Sequence, residues 1–209
     1  MRVVCWDDFV KRGLAVPGTA VTVGVFDGVH RGHCELLKRI CSRNAGGKAE
    51  FARNYGFPRL ESAAVTFREN PRRILSPCKN TLDIISLDEK LALFDGIGVN
   101  ICVLIDFSLK FGEMTGKTFI ELLLEKAAMR YLAVGQNFHC GGDRMNARHI
   151  KQYLEGGETP QHFRAACDIL LPVMDGGLPV SSSRIRAAIA EGDRVLAERL
   201  LGRSLSSTK

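Results

Sequence analysis

A chain of 209 residues, 45% apolar and 25% charged, has the proportions of one ordinary soluble domain with room for a sizeable core. It holds no apolar run long enough to cross a bilayer, and Asp7 and Asp8 interrupt the stretch where a signal-peptide core would lie. The net charge of +6 suits a partner that carries phosphates, but with aromatics at 7% and basic residues evenly spread, a nucleotide fits better than nucleic acid. Seven scattered cysteines, odd in number and never in a C-x-x-C pair, favour reduced thiols and a cytoplasmic protein.

In chain order, Trp6 to Gly13 reads as a short helix or loop, and Pro17-Gly18 marks a turn into the first strand. That strand is apolar and β-branched through Val21, Val23 and Val25, and it breaks at Gly24 and Gly28. His30 and His33 follow, and a helix is expected from about Gly32 with Leu36, Leu37 and Ile40 on its apolar side. Strand, glycine turn and helix together make an anion site, because the first amides of a helix are free and the dipole favours negative charge. Spacing of i, i+3 puts both imidazoles on one helical face. A buried core histidine is the bland alternative, and zinc lacks ligands beyond Cys34.

Lys48 to Tyr55 could be helical, bracketed by glycines and Pro58. Ser62 to Phe67 is a second strand, ending at the basic turn TFRENPRR, Thr66 to Arg73. Ser86-x-x-Glu89 is a capping box opening a helix that ends near Gly96 or Gly98. A buried strand spans Asn100 to Asp106, a helix Gly116 to Ala128, and a short strand Tyr131 to Gly135. The polar loop QNFHCGGDRMN then leads to a helix over Arg148 to Leu154, and Asp168 to Val173 is the last strand. Two short helices close the chain, one in SSRIRAAIAEG and one from Asp193, its N-cap, to Leu201. Ser182 and Ser183 can cap the former and meet a phosphate, with Arg186 one turn on. Strands alternating with helices predict one α/β domain, a mostly parallel Rossmann-like sheet with helices on both faces.

These motifs resemble a known family. GVFDGVHRGH is similar to the G-x-F-D-G-x-H-x-G-H signature of the flavin adenylyltransferase module of bacterial FAD synthetases, in the H-x-G-H nucleotidylyltransferase superfamily. VTF, SLDEKLALFDGIGV, VGQNFHCG and VSSSRIRAAIAEGDRVLAERLLGR continue the resemblance in order, over essentially the whole chain. It implies adenylyl transfer from ATP to FMN, giving FAD and pyrophosphate, with Mg2+. His30, His33 and Arg186 would carry catalysis, and Gly24, Phe26, Asp27, Gly28, Gly32, Ser182 and Ser183 would bind ATP. Thr66, Phe67, Pro71, Asn137, Phe138 and Arg144 would bind the flavin, with no metal held by protein ligands.

The family's usual T-F-D-P-H-P-R reads here Thr66-Phe67-Arg68-Glu69-Asn70-Pro71-Arg72, and Arg68 offers a charge on the flavin-phosphate side. The stretch Asn44 to Ser62 is longer than in most relatives. Bifunctional members continue past L-L-G-R into a riboflavin kinase, whereas this sequence stops at Lys209, so preformed FMN from a separate riboflavin kinase is expected. Two alternatives share the motifs: a different phosphorylated acceptor, or a nucleotide- or flavin-binding module without turnover.

Overall fold

The computed structural model describes residues 1–44, 59–75, 83–156 and 165–205. The elements begin with β1 (Arg2–Cys5), α1 (Trp6–Arg12), β2 (Thr19–Val23), α2 (Arg31–Asn44), β3 (Glu61–Phe67), α3 (Arg72–Leu75) and α4 (Leu87–Ile97). Then come β4 (Ile101–Ile105), α5 (Leu109–Gly112), α6 (Gly116–Lys126), β5 (Met129–Gly135), β6 (His139–Cys140), β7 (Met145–Asn146) and α7 (Ala147–Glu155). β8 (Ala166–Leu170), the hairpin of β9 (Met174–Asp175) and β10 (Leu178–Pro179), α8 (Ser182–Ala190) and α9 (Arg194–Leu201) complete them.

The sheet is parallel and six-stranded, in the order β1-β4-β3-β2-β5-β8. From β2 the chain moves outward through β3 to β4, then crosses to β5 on the other side, so the strand order reverses between β2 and β5. Such a reversal opens a crevice at the carboxyl ends of the two strands. Side chains alternate between faces with the strand period of two. Val21, Val65, Val103 and Leu132 pack with α1, α6 and α7 through Phe9, Ile120 and Ile150, while Ala20, Ala64, Leu104 and Ala133 pack with α2 and α4 through Leu37, Ile40 and Phe94. Full burial of residues such as Leu37 or Ile40 stabilises by about 2 kcal/mol each. Thr19 and Thr22 sit in buried β2 at no cost in unmet polarity, donating to the carbonyls of Ala127 and Ala133 at 2.8 Å.

Several local signals act as the sequence suggests. Ser86 and Glu89 form a complete capping box, Gly98 ends α4 in the left-handed conformation, and Asp193 accepts from the Leu196 amide. Other boundaries move. The first strand runs Thr19–Val23 rather than on to Val25, because the backbone turns left-handed at Phe26 and the Val25 carbonyl is taken by a side chain. The last long strand is Ala166–Leu170, not Asp168 to Val173. Its partner β5 ends at Gly135, opposite Leu170, and Pro172 has no N–H to offer. Strand β1 escapes sequence reading because it is a four-residue, largely exposed edge. The expected helix at Lys48 to Tyr55 lies outside the described residues. Among the described residues, no helix is long and apolar enough to cross a membrane.

The closing segment is docked by a small apolar cluster of Val180, Ile185, Leu200 and Leu201. Asp175 adds a charge lock: its carboxylate meets Arg31 of α2 at 3.2 Å, Arg184 of α8 at 3.4 Å and Arg199 of α9 at 3.3 Å. The carboxylate is nearly buried while Arg31 and Arg199 are half-exposed, so their pairing is worth less than a fully buried one. Asp175→Ala should destabilise the protein by about 2 kcal/mol in urea denaturation and speed proteolysis within α8 and α9.

Candidate active site

The loop from Gly24 to His30 leaves β2 at the strand reversal and feeds α2. Its backbone is strained: Phe26 (φ 51°), Gly28 (φ 82°) and Val29 (φ 40°) are all left-handed. For the two non-glycine residues this costs about 1–2 kcal/mol each, which surrounding contacts must offset. Gly28 is required twice over, by its φ and because a Cβ there would press on Ile84 at 3.1 Å. The carbonyls from Val25 to His30 are taken by the protein. Val25 accepts from Lys90, Phe26 from the Val29 amide, Asp27 from Ser182, Gly28 and Val29 from Arg203, and His30 from the Cys34 amide. The amides of Gly28, His30, Arg31 and Gly32, by contrast, have no acceptor among the described residues. Free N–H groups at the start of the fourteen-residue α2 form an anion cradle.

His30 and His33 stack with ring centroids 3.6 Å apart and planes 16° from parallel. Gly32 lies between them in sequence because a Cβ there would approach the His30 ring at 3.3 Å. The His33 amide donates to His30 Nδ1 at 3.3 Å, which assigns the His30 proton to Nε2 and makes that nitrogen a donor. His33 Nδ1 is buried with no partner among the described residues. Burial drives the His30 imidazole down to about 4, partly opposed by a backbone hydrogen bond and reinforced by the Arg203 charge. Burial likewise holds His33 well below its ordinary value, helped by His30 and Lys90. Two imidazolium rings at this spacing would repel by roughly 5 kcal/mol at an effective dielectric near 20, so both stand neutral at pH 7 without an anion.

Asp27 and Phe26, read from the motif as ATP-binding, have their side chains committed elsewhere. The buried Asp27 carboxylate accepts from the Ile84 amide at 2.8 Å and pairs with Arg186; burial raises its pKa despite those partners. Phe26 is fully buried, edge-on to His33 and Phe94. The helix expected to be capped by Ser182 or Ser183 is capped by Ser181, whose side chain accepts from the Arg184 amide. Ser182 is thereby free to donate to the Asp27 carbonyl at 2.8 Å, while Ser183 is exposed on the first turn of α8. Arg186 reaches the loop through Asp27.

Beside the loop lies a cavity of about 740 Å³, walled by Gly24 and Val25 on one side and by Asn137, Phe138 and Arg144 on the other. Phe67 and Pro71 line it, as do Arg72, Phe107 and Phe111, which sequence reading did not single out. Phe67, Phe107 and Phe111 form a mutually edge-packed aromatic group, centroids 5.8–6.2 Å apart. Thr66 stands outside this wall: it is fully buried and donates to the Val25 carbonyl. Arg68 is outside it too, with its Nε on Asp106 at 2.7 Å. Sequence reading also missed Lys90 and Arg203. For Lys90 a signal existed, since a lysine falls on the apolar stripe of α4 between Leu87 and Phe94.

A parallel sheet with an amide cradle and paired neutral histidines at its reversal point makes this an α/β protein with an anion site at the strand ends. Residues 15–184 match the family described as FAD synthetase, and the chain belongs to that family. It is similar to the bifunctional riboflavin kinase/FMN adenylyltransferase of Pseudomonas fluorescens, 33% identical over 89% of this chain and 55% of the relative. To the Escherichia coli protein of the same name it is 30% identical, over 88% of this chain and 54% of the relative. The chain thus spans about half the length of these relatives. Among solved structures it resembles one described as a macrolide-efflux protein from Streptococcus pneumoniae, with TM-score 0.76 and 26% identity over 98% of this chain and 72% of the other. A pantoate-β-alanine ligase from Francisella tularensis shares the fold at TM-score 0.56 and 15% identity, over 92% of this chain and 77% of that one.

The depressed histidine has a stability consequence. Unfolded, His30 binds a proton near pH 6.5; folded, not until about pH 4, so the unfolded state takes up more protons between those values. Stability is therefore full above pH 6.5 and falls as pH drops, by about 3 kcal/mol from His30. Urea denaturation of the ligand-free protein should show this acid loss, and His30→Gln should reduce it.

Proposed function

We propose that this chain is an FMN adenylyltransferase, transferring the adenylyl group of ATP to FMN to give FAD and pyrophosphate. The observation that carries the reading is the shared wall at Gly24 and Val25, which joins an anion cradle to an aromatic cavity of flavin dimensions. An oxygen of the FMN phosphate attacks the α-phosphorus of ATP. The new P–O bond forms as the bond to the bridging β-oxygen breaks, and pyrophosphate leaves with that electron pair. No protein nucleophile takes part; the protein positions the two phosphates and stabilises charge.

His30 donates from Nε2 to phosphate oxygen, and His33 Nδ1 finds in the nucleotide the partner it lacks. A triphosphate nearby raises both imidazole pKa values, so the stack gains a proton only when an anion is bound. Arg186, aimed by Asp27, and the first turn of α8, through the Ser182 amide and Ser183, hold the β- and γ-phosphates. Phe67, Phe107 and Phe111 pack on the isoalloxazine, Asn137 and Phe138 border it, and Arg72 and Arg144 supply positive charge for the acceptor phosphate.

Among the described residues no cluster of three acidic, histidine or cysteine side chains is assembled for a metal, and Asp27 is already occupied. Mg2+ would come with the nucleotide and neutralise part of the phosphate charge. Six free cysteines among the described residues support a reducing, cytoplasmic setting.

Given ATP, magnesium and FMN, the purified protein should form FAD, resolved from FMN by chromatography. His30→Ala and Arg186→Ala should each slow this by roughly 100-fold or more. Nucleotide binding without any FAD would overturn the reading in favour of another acceptor. Arg144→Ala should raise KM for FMN by roughly tenfold, while Arg68→Ala, removing an arginine paired to Asp106 away from the cavity, should leave it within about twofold.

A further inference from the structure

Two cations bond the carbonyls of the loop. Lys90, only 7% exposed, reaches from α4 to the carbonyls of Val25 at 3.0 Å and Phe67 at 3.3 Å. Val25 lies two residues past β2 and Phe67 ends β3, and both line the aromatic cavity. Arg203, just past α9, donates to the carbonyls of Gly28 at 2.6 Å and Val29 at 2.9 Å. A carbonyl oxygen turned toward a triphosphate would repel it. Each carbonyl drawn backward leaves the adjoining amide free to face forward, and a cationic donor makes that bond about twice as strong as a neutral one. Left-handed Phe26 and Val29 persist only when neighbouring contacts over-determine them.

We propose that Lys90 and Arg203 are positioning residues of the phosphate-binding loop. They hold its carbonyls inward, so that its free amides face an incoming anion. That this anion is the nucleotide triphosphate rests on the adenylyltransferase reading; the inward carbonyls are a property of the protein itself.

Burial is the larger cause of both depressed imidazoles, and the same two cations add to it. His30 is faced by Arg203 from the closing segment and by His33 in the stack. His33 is faced by His30 and, from α4, by Lys90. Lys90 is itself balanced by Asp27 and Asp83, and Arg203 by Cys34 and Glu89. Asp27 in turn pairs with Arg186. One cation thus stands by each histidine, and each comes from a different segment of the chain.

The test compares Lys90→Met, Arg203→Met and the conservative Arg203→Lys with wild type. Histidine titrations by NMR without ligand, melting temperature, and kcat and KM for FAD formation would be measured. Arg203→Met should raise the His30 midpoint and lower kcat at least tenfold with KM for FMN unchanged, and Arg203→Lys should recover part of both. Lys90→Met should raise the His33 midpoint and, because Val25 and Phe67 line the cavity, also raise KM for FMN. If Lys90→Met does not fold, Lys90→Gln takes its place. Folded variants with unmoved histidine midpoints and wild-type kcat would overturn the proposal, as would a lower melting temperature with both unchanged. Should wild type form no FAD, the adenylyltransferase reading fails, while the titrations still decide whether the two cations govern the histidines.

Discussion

A phosphate-binding loop must show its amides and hide its carbonyls, yet every peptide unit carries both, pointing in opposite directions. The turn after β2 meets this by adopting left-handed conformations at Phe26, Gly28 and Val29 and by surrendering its carbonyls to the protein interior. Local sequence cannot supply those interior donors. They come from α4 (Lys90), the start of α8 (Ser182) and the segment after α9 (Arg203), so much of the molecule serves to hold this one turn.

The sheet makes that convergence possible. Reversal of strand order between β2 and β5 leaves a crevice that neither strand's own neighbours cover, with the loop on one side and the glycine-rich turn Gly141-Gly142 with its flanking residues on the other. The closing segment is pulled over the loop by an apolar cluster and by one carboxylate, Asp175, shared among three arginines from three helices. Cradle and aromatic cavity then share the wall at Gly24 and Val25. In the proposed reading, a phosphoryl donor and a ring-bearing acceptor on either side of this wall would meet with their phosphates adjacent, the condition for direct transfer.

Burial decides the charge state of the machinery. Removing the two imidazoles from water, and setting Arg203 and Lys90 beside them, keeps both neutral in the empty protein. His33 Nδ1 is buried with no partner among the described residues.

The sequence by itself determined a good deal. The strand–glycine–helix pattern around Val21 to His33, the capping box at Ser86 and the Asp193 cap are short-range signals, and each set its local conformation. The i, i+3 spacing likewise put His30 and His33 in one stack. What tertiary structure decided was which side chains face the ligand and which face away. Thr66, Phe26 and Asp27 sit inside motifs, yet their side chains are spent on Val25, His33 and Arg186, while Phe107 and Phe111, in no motif, line the cavity. Lys90 and Arg203 lie 65 and 174 residues from the carbonyls they hold. Hydrogen bonds of that reach are set by how helices pack on the sheet, and no local spacing encodes them.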